Sequence, residues 1–537
     1  MTESEGQVLA ADGRPLKASL NRALRRQKVR ALLLIAPLLL FIMITFIVPI
    51  GQMLMRSVEN GLVSETLPRT TTLLATWDSS ETDLPDDATF LALAQDMMLA
   101  VEEKNHTRLG SRLNYEMTGV SSLFRKSGRA VDEFGEIAQE ALIELNGTFE
   151  DPAAWSAQFG TPAWVSSVNT WVEGGENGLA PEFQGNPEML AAFPLTTGTY
   201  ADFANFVASD GDNPLQEDVW PIIYHTLAVE LADAGDLTER GLPLAATQGA
   251  DIPTGDLQAL FADVDEDWLN PEVWRTTQTY STAYTAGYFL TSIDRQLTPD
   301  GIEVTPEDER IYITLFIRTL VMSMVITLSC IMLGYPVAWL LANLPMRTAN
   351  VLMILVLLPF WTSLLVRTSA WKALLQNQGV INDLMVWVGL YADDNRLALI
   401  NNATGTIIAM THILLPFMIL PLYSVMKTIS PTYVRAAKSL GATDWTSFWR
   451  VYFPQSVPGI GAGSILVFIL SIGYYITPEI VGGTKGVFIS NRIAFHISSS
   501  LNWGLAAALG TILLALVLIF YWLYDRIVGI DNVKLGG

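Results

Sequence analysis

The chain has 537 residues, half of them apolar, which is enough for several domains, and its formal net charge is −22. Residues 56–310 hold 44 acidic and 12 basic residues, a net charge of −32, whereas the rest holds 10 acidic and 20 basic residues, a net charge of +10. This acidic, soluble-looking interruption of a basic, apolar chain excludes nucleic acid as its partner, because the phosphates would be repelled.

The number and spacing of the cysteine and histidine residues argue against a disulfide and against a metal site. The only cysteine is Cys330, inside an apolar stretch, so no intrachain disulfide can form. The four histidines have no ligand spacing with one another or with Cys330: they are His106, His225, His412 and His496. We therefore expect no metal site, and a soluble segment that is stable without disulfides.

Six stretches are long and apolar enough to cross a membrane, which takes roughly 20 mostly apolar residues. They lie at about 31–50, 311–341, 350–370, 405–425, 459–481 and 505–525. The first stretch is longer than the core of a signal peptide, and no small-residue cleavage site follows it. We interpret it as an uncleaved span.

Basic residues near the span ends predict the orientation. Five of them between 22 and 30 place the N-terminus in the cytoplasm, and alternation over six spans returns the C-terminus there. The predicted organisation is a cytoplasmic basic tail (1–30), a first span (31–55), an acidic extracytoplasmic insertion (56–310), a core with spans two to six and an inside loop at 426–458 (311–530), and a cytoplasmic tail (531–537).

The insertion is expected to be a largely α-helical soluble domain. Apolar residues at helical spacing form one face between Phe90 and Val101, and the stretch 134–145 repeats the pattern. Six tryptophans indicate a packed core rather than disorder: Trp155, Trp164, Trp171, Trp220, Trp268 and Trp274.

The inside loop contains a short helix with clear ends. Ser430 is a typical N-cap and Pro431 suits the first helical position, while Gly441 suits the residue that ends the helix. One apolar face has the spacing i, i+3, i+4, i+7 and consists of Tyr433, Ala436, Ala437 and Leu440.

A second short helix is predicted from about Thr443 to a stop at Pro454. Two interpretations of the pair are open. One is an interfacial helix resting on lipid headgroups. The other is a rigid projection into a pocket of a cytoplasmic partner, which the small side chains of Ala436 and Ala437 would allow to approach closely.

Candidate residues of a solute pathway lie nearer the other side of the membrane. Glu479 is an ionisable residue near the outer end of the fifth predicted span, and such residues are functional candidates. Trp361, Tyr474 and Tyr475 offer ring faces to an ammonium group. The alternatives are a solvated span end for Glu479 and helix packing or an interfacial belt for the aromatic residues.

The inside loop resembles the signature of ABC-importer permeases, E-A-A-x-x-x-G, nine residues, then I-x-L-P. The chain has Arg435-Ala436-Ala437, three residues, Gly441, nine residues, and a segment from Val451 to Pro454. Arg435 stands where the family carries glutamate, which implies a partner surface of altered charge.

The resemblance extends from Arg318 to about Leu514 and is similar to the spermidine/putrescine (polyamine and opine) branch. The matching phrases are RTLVMSMVITL, LGYPVAWLLANLP, LLPFWTSLLVRTSAW, LPFMILPLY and GYYITPEIVGG. It implies an all-α polytopic membrane protein with six transmembrane helices, whose inside loop is the coupling helix that docks on an ATPase. The implied solute is a polyamine or another amine-bearing compound.

No G-x-x-x-x-G-K-[ST] phosphate loop occurs, so ATP and Mg are expected on a partner and no cofactor on this chain, which is not itself an enzyme. The implied partners are an ABC ATPase dimer, a second permease subunit expected to be a different chain, an extracytoplasmic solute-binding protein and membrane lipid. The implied location is the bacterial cytoplasmic (inner) membrane, with both termini cytoplasmic and residues 56–310 periplasmic.

The role of the insertion is open between a passive cap or assembly surface, a docking platform for the binding protein, and a cation-attracting vestibule. Two rival classes remain as alternatives. A secondary transporter would show an internal repeat with broken helices at matching positions. A membrane-anchored extracytoplasmic sensor would need an output domain inside the cell. Neither explains the spaced loop at 435–454.

Overall fold

The computed structural model describes residues 16–176, 178–232, 239–247 and 250–528. Its contacts divide the chain into two compact units. We call Met1–Val58 together with Arg310–Gly537 the membrane unit, and Glu59–Glu309 the insertion unit. In the sequence, the insertion unit lies between the first and second long helices of the membrane unit.

The first long helix of the membrane unit consists of α1 (Leu16–Ile42), a π turn (Met43–Ile47) and α2 (Val48–Arg56). Pro49 has no backbone N–H, and the wider turn before it accommodates the missing hydrogen bond. The most apolar part of this helix has no buried residue, as is typical of a helix surrounded by lipid.

The insertion unit is helical with one small hairpin. Its helices are α3 (Gly61–Thr66), α4 (Pro68–Leu74), α5 (Asp87–Glu102), α6 (His106–Leu113), α7 (Val120–Ala130), α8 (Glu136–Leu145), α9 (Pro152–Phe159), α10 (Pro162–Glu173), α11 (Pro187–Ala192), α12 (Pro194–Asp210), α13 (Pro221–Leu231), α14 (Leu257–Val264), α15 (Pro271–Thr279) and α16 (Gly287–Ser292). Strands β1 (Arg295–Thr298) and β2 (Gly301–Val304) pair antiparallel. The helices predicted around Phe90–Val101 and 134–145 are α5 and α8.

Local sequence explains many of the helix starts in the insertion unit. At α9 and α15, a proline occupies the first helical position and the preceding Asp151 or Asn270 accepts a backbone N–H with its side chain. The α5 helix starts in the same way without proline, since Asp86 accepts the N–H of Thr89 at 3.0 Å.

The core of the insertion unit is aromatic. Phe90 packs edge-on against Trp274 with ring centroids 4.8 Å apart, and Trp268 donates its indole N–H to Ser127 Oγ at 2.8 Å. Of the six tryptophans predicted to form a core, five are buried and Trp171 is partly exposed. The aromatic residues therefore stabilise this unit without disulfides.

The rest of the membrane unit is also helical. Its helices are α17 (Tyr312–Asn343), α18 (Met346–Leu357), α19 (Leu364–Leu374), α20 (Val380–Trp387), α21 (Ala403–Thr428), α22 (Pro431–Ser439), α23 (Asp444–Ser447), α24 (Phe453–Gly473), α25 (Ile476–Val481), α26 (Gly483–Gly486), α27 (Ile489–Ser498) and α28 (Trp503–Val528).

Three of these helices, α17, α21 and α24, pack together around buried Ile326, Cys330 and Leu414. Glycine permits their close approach, since a Cβ at Gly463 would lie 2.6 Å from Met418 Sδ. The centre of the membrane unit is therefore a bundle whose backbones lie close together.

Five helices in the described part of the chain are long and apolar enough to span a membrane: Gln27–Arg56, Tyr312–Asn343, Ala403–Thr428, Asp444–Gly473 and Trp503–Arg526. The third predicted span, 350–370, is not a straight helix. It falls on Met346–Trp361 and Leu364–Leu374, which are bent by 95°. Ser363 starts a new helix at this bend, because its side chain accepts the backbone N–H of Val366 at 3.2 Å. The number of spans reaches six only if the bent pair crosses the membrane as one span.

Candidate functional site

The predicted loop helix is present as α22, which follows the end of α21. Ser430 caps it by accepting the backbone N–H of Thr432 at 3.3 Å, and Pro431 fills the first position, where no intrahelical N–H bond is needed. The predicted start of this helix is confirmed.

The helix ends where glycine was expected. Gly441 has φ +90°, in the left-handed region that favours glycine, and a Cβ built there meets nothing within 4 Å. The N–H of Gly441 donates to Lys438 O, and that of Ala442 donates to Ala437 O, both at 3.0 Å. Backbone conformation, and not lack of space, therefore requires glycine here.

The apolar face of α22 is not covered by its own chain. Leu440 is 90% exposed and Tyr433 is 55% exposed, and Arg435 and Ala436 are exposed as well. Val434, on another side of the helix, packs against the bundle core instead. The helix is thus attached to the bundle through one side and exposes a leucine and a tyrosine on another. Exposed apolar side chains of this kind are typical of a docking element.

The predicted stop at Pro454 is wrong. The segment from Asp444 runs through α23, a π turn (Phe448–Tyr452) and α24 as one 30-residue helix up to Gly473. Pro454 lies in the first turn of α24, after the π turn, so its missing N–H does not end the helix. An ion pair between Lys438 and Asp444 bridges the turn at Gly441.

The pathway candidates lie outside the helix Asp444–Gly473, which contains most of the fifth predicted span. That helix ends at Gly473, before the predicted limit at 481, because Tyr474 adopts an extended backbone conformation. Glu479 therefore lies just beyond the end of this helix, in the short helix α25, where its side chain is exposed.

Asn491 brings two of these candidates together, Tyr475 and Glu479, and was missed by the sequence analysis. Its Nδ2 donates to Tyr475 O at 2.9 Å and to Glu479 Oε2 at 2.6 Å. The neighbouring Ser490 donates its hydroxyl to Tyr474 O at 2.7 Å. Only long-range packing places α27 beside α25, so no local signal marks Asn491.

Trp361 occupies a different element, the 3₁₀ turn at the bend between α18 and α19, and is 74% exposed. The α19 helix does contact the Glu479 segment, because the hydroxyls of Thr368 and Thr477 lie 3.1 Å apart. Among the described residues, no cluster of three or more His, Cys, Asp or Glu could hold a metal ion.

Comparison with known proteins matches residues 315–528 to the family described as "Binding-protein-dependent transport system inner membrane component". The spermidine/putrescine transport system permease protein PotB of Salmonella typhimurium is 34% identical over 220 residues, covering 40% of this chain and 76% of PotB. The inner membrane ABC transporter permease protein YdcU of Escherichia coli is 30% identical over 260 residues, covering 46% of this chain and 82% of YdcU.

Among solved structures, a bacterial ABC transporter involved in the import of the acidic polysaccharide alginate is similar over 40% of this chain and 79% of that chain, with 22% identity and a TM-score of 0.32. The similarity to PotB extends over more than two thirds of that protein. The family match at residues 315–528 includes the helices that flank α22. The chain therefore belongs to the family of binding-protein-dependent inner-membrane transport components, and it is a multi-pass permease subunit of an ABC importer.

Proposed function

We propose that α22 and Gly441 couple this permease to its ATPase, and that the segment Tyr474–Glu479 contributes to the pathway of a polyamine or another amine-bearing solute. The observation that carries the coupling role is the exposed tip of α22, where Leu440 is 90% exposed. An uncovered leucine on a short, capped helix fits a groove on another protein, since burying it there gains free energy.

The path of force follows from the continuous helix after Gly441. Because Asp444–Gly473 is one helix that continues through Pro454, a displacement of α22 also moves α24. The α24 helix packs against α17 and α21, so the bundle moves with it. ATP binding changes the transport equilibrium only if the docked partner contacts α22 differently in two states.

The substrate class is supported by the chemistry around Glu479. A carboxylate is suited to an ammonium group, and the half-exposed ring of Tyr475 adds a face for the same cation. The amide of Asn491 fixes the carboxylate relative to Tyr475. PotB, a relative named for spermidine and putrescine, supports the same class.

The proposed orientation places residues 1–30, the loop 426–458 and the tail 531–537 in the cytoplasm, and residues 56–310 in the periplasm. The importer comprises an ATPase dimer, this permease, a second permease subunit of different sequence and a periplasmic solute-binding protein. Basic residues in the inside loop, such as Lys427 and Arg450, support this orientation.

Replacement of Gly441 tests the coupling role. Gly441→Val forces a β-branched residue to φ +90°, which costs about 1–2 kcal/mol and reorients α22. In proteoliposomes containing the complete importer, we expect uptake per ATP hydrolysed to fall at least tenfold while the variant still inserts and assembles. Ala442→Val is the control for added bulk in the same turn. Wild-type uptake by Gly441→Val would overturn the coupling role.

A further inference from the structure

A cavity of about 910 Å³ lies between α22 and the ends of two long helices. One wall comes from the end of α17, including Tyr335 and Trp339, and another from α22 itself. The start of the long helix after Gly441 closes it with Trp445 and Phe448. The volume is large enough for a sizeable organic ligand.

The walls combine an apolar interior with an interfacial rim. The rings of Tyr335 and Phe448 meet edge-on at 6.2 Å, which gives a continuous aromatic surface. Trp339 is 41% exposed and Trp445 is 72% exposed. Partly exposed tryptophans at the ends of spans are typical of the membrane–water interface.

The charge of the lining is positive. Lys427, Arg435 and Lys438 line the cavity together with one carboxylate, Asp444, which is paired with Lys438. Lys427 reaches only a backbone oxygen, that of Ala342, at 3.4 Å. Within the described residues, two cations of the lining therefore have no acidic partner.

The cavity also contains a hydrogen-bond donor without a partner. Ser447 is 1% exposed, and among the described residues its hydroxyl has no hydrogen bond. A buried hydroxyl costs free energy when it is unsatisfied, and it is usually paired. An occupant with acceptor oxygens would satisfy it.

We propose that this cavity binds an anionic phospholipid of the inner leaflet. The phosphate lies against Lys427 and Arg435, an oxygen of the headgroup or glycerol region accepts from Ser447, and the acyl chain follows the aromatic wall. The cytoplasmic leaflet is the anionic one, and its surface attracts basic groups near span ends. The inference goes beyond the proposed function and rests on it only for the cytoplasmic position of α22.

Occupancy would join α22 to α17 through a molecule supplied by the bilayer. The end of α17 provides Trp339 and α22 provides Arg435, so one lipid contacts both the docking element and the bundle. The lipid composition of the membrane would thereby set how firmly α22 is held.

Native mass spectrometry of the complete, delipidated importer in detergent tests this assignment, with dioleoyl phosphatidylglycerol as the probe. We expect one tightly bound copy per cavity and at least tenfold weaker binding of dioleoyl phosphatidylcholine. Lys427→Gln and Ser447→Ala should each weaken phosphatidylglycerol binding severalfold. Arg347→Gln, the same loss of charge at an exposed residue outside the cavity, is the matched control.

Equal binding of the two lipids, or equal losses in Lys427→Gln and Arg347→Gln, would overturn the site. Competition by inorganic phosphate at the same affinity would show a free-anion site instead of a lipid site. Retention of lipid only when the ATPase is removed would show that a protein fills the cavity. Binding is measured without transport, so these failures leave the Gly441→Val result standing, and a failure of coupling leaves the lipid count unchanged.

Discussion

The two units use the same apolar residues in opposite ways. In the insertion unit, Trp155 and Trp268 are buried to 1% exposure or less within the unit itself. In the membrane unit, Trp387 is 83% exposed, and the most apolar part of Gln27–Arg56 has no buried residue. The insertion unit buries its large apolar side chains within itself, whereas the membrane unit depends on lipid and on other subunits to cover its apolar surface.

One cavity in each unit shows a further difference, in the sign of the charges that line it. A cavity of about 440 Å³ in the insertion unit is lined by Glu102, Asp132 and Asp210 beside Trp220. Burial raises the pKa of Glu102, and the two neighbouring carboxylates raise that pKa further. The cavity beside α22 is instead lined by three cations and one carboxylate, and only Lys438 of the three is paired with it.

The same substitution in the two units gives the largest expected contrast. Trp268→Ala removes a core ring and the hydrogen bond to Ser127, and should destabilise the insertion unit by about 3–5 kcal/mol. Trp387→Ala should change stability by less than about 0.5 kcal/mol, since the ring is exposed. Thermal unfolding and limited proteolysis of the full-length protein in detergent measure both. Equal effects would show that the two units do not differ in this way.

Acid should weaken the insertion unit through His225. Its ring is 3% exposed, and burial lowers its pKa to about 4. Between pH 6.5 and 4, His225 is protonated in the unfolded chain but not in the folded unit. The free energy of unfolding therefore falls as the pH falls, by about 3 kcal/mol in total.

His225→Gln removes this titration. The variant should show a flatter loss of melting temperature between pH 7 and 5 than the wild type, while at pH 8 the histidine is neutral in both the folded and unfolded wild-type chain. An unchanged pH slope in the variant would assign the acid sensitivity to other groups. The effect should be confined to proteolytic sites within residues 59–309.

Neutralising Glu479 should have a smaller effect, which is confined to solute transport. Glu479→Gln keeps the contact with Asn491 but removes the charge, and should lower kcat/KM for spermidine about tenfold, equivalent to about 1.4 kcal/mol. Asp394→Asn, at an exposed acid of the loop before α21, is the control. Spermidine uptake equal to wild type would remove Glu479 from the pathway.

Local signals predicted the ends of helix α22 well, and long-range packing explains what was missed. Ser430, Pro431 and Gly441 act on their own backbone, so their positions can be interpreted from sequence. The continuation past Pro454 depends on a π turn, which no residue type marks clearly.

The remaining misses have the same origin. The 95° bend in the third span arises from a serine cap inside an apolar run, where hydropathy alone predicts a continuous helix. The role of Asn491 appears only when α27 packs beside α25. Apolar periodicity identifies elements, but contacts between distant elements decide which polar groups meet.

The side of the membrane that α22 occupies is tested most directly with a single cysteine. In a Cys330→Ala background, Leu440→Cys should react with a membrane-impermeant maleimide in inverted vesicles but not in intact spheroplasts, and adding the ATPase should protect it. Leu179→Cys, at a residue 99% exposed in the insertion unit, should show the reverse accessibility. Labelling of Leu440→Cys from outside, or labelling that the ATPase leaves unchanged, would contradict the account.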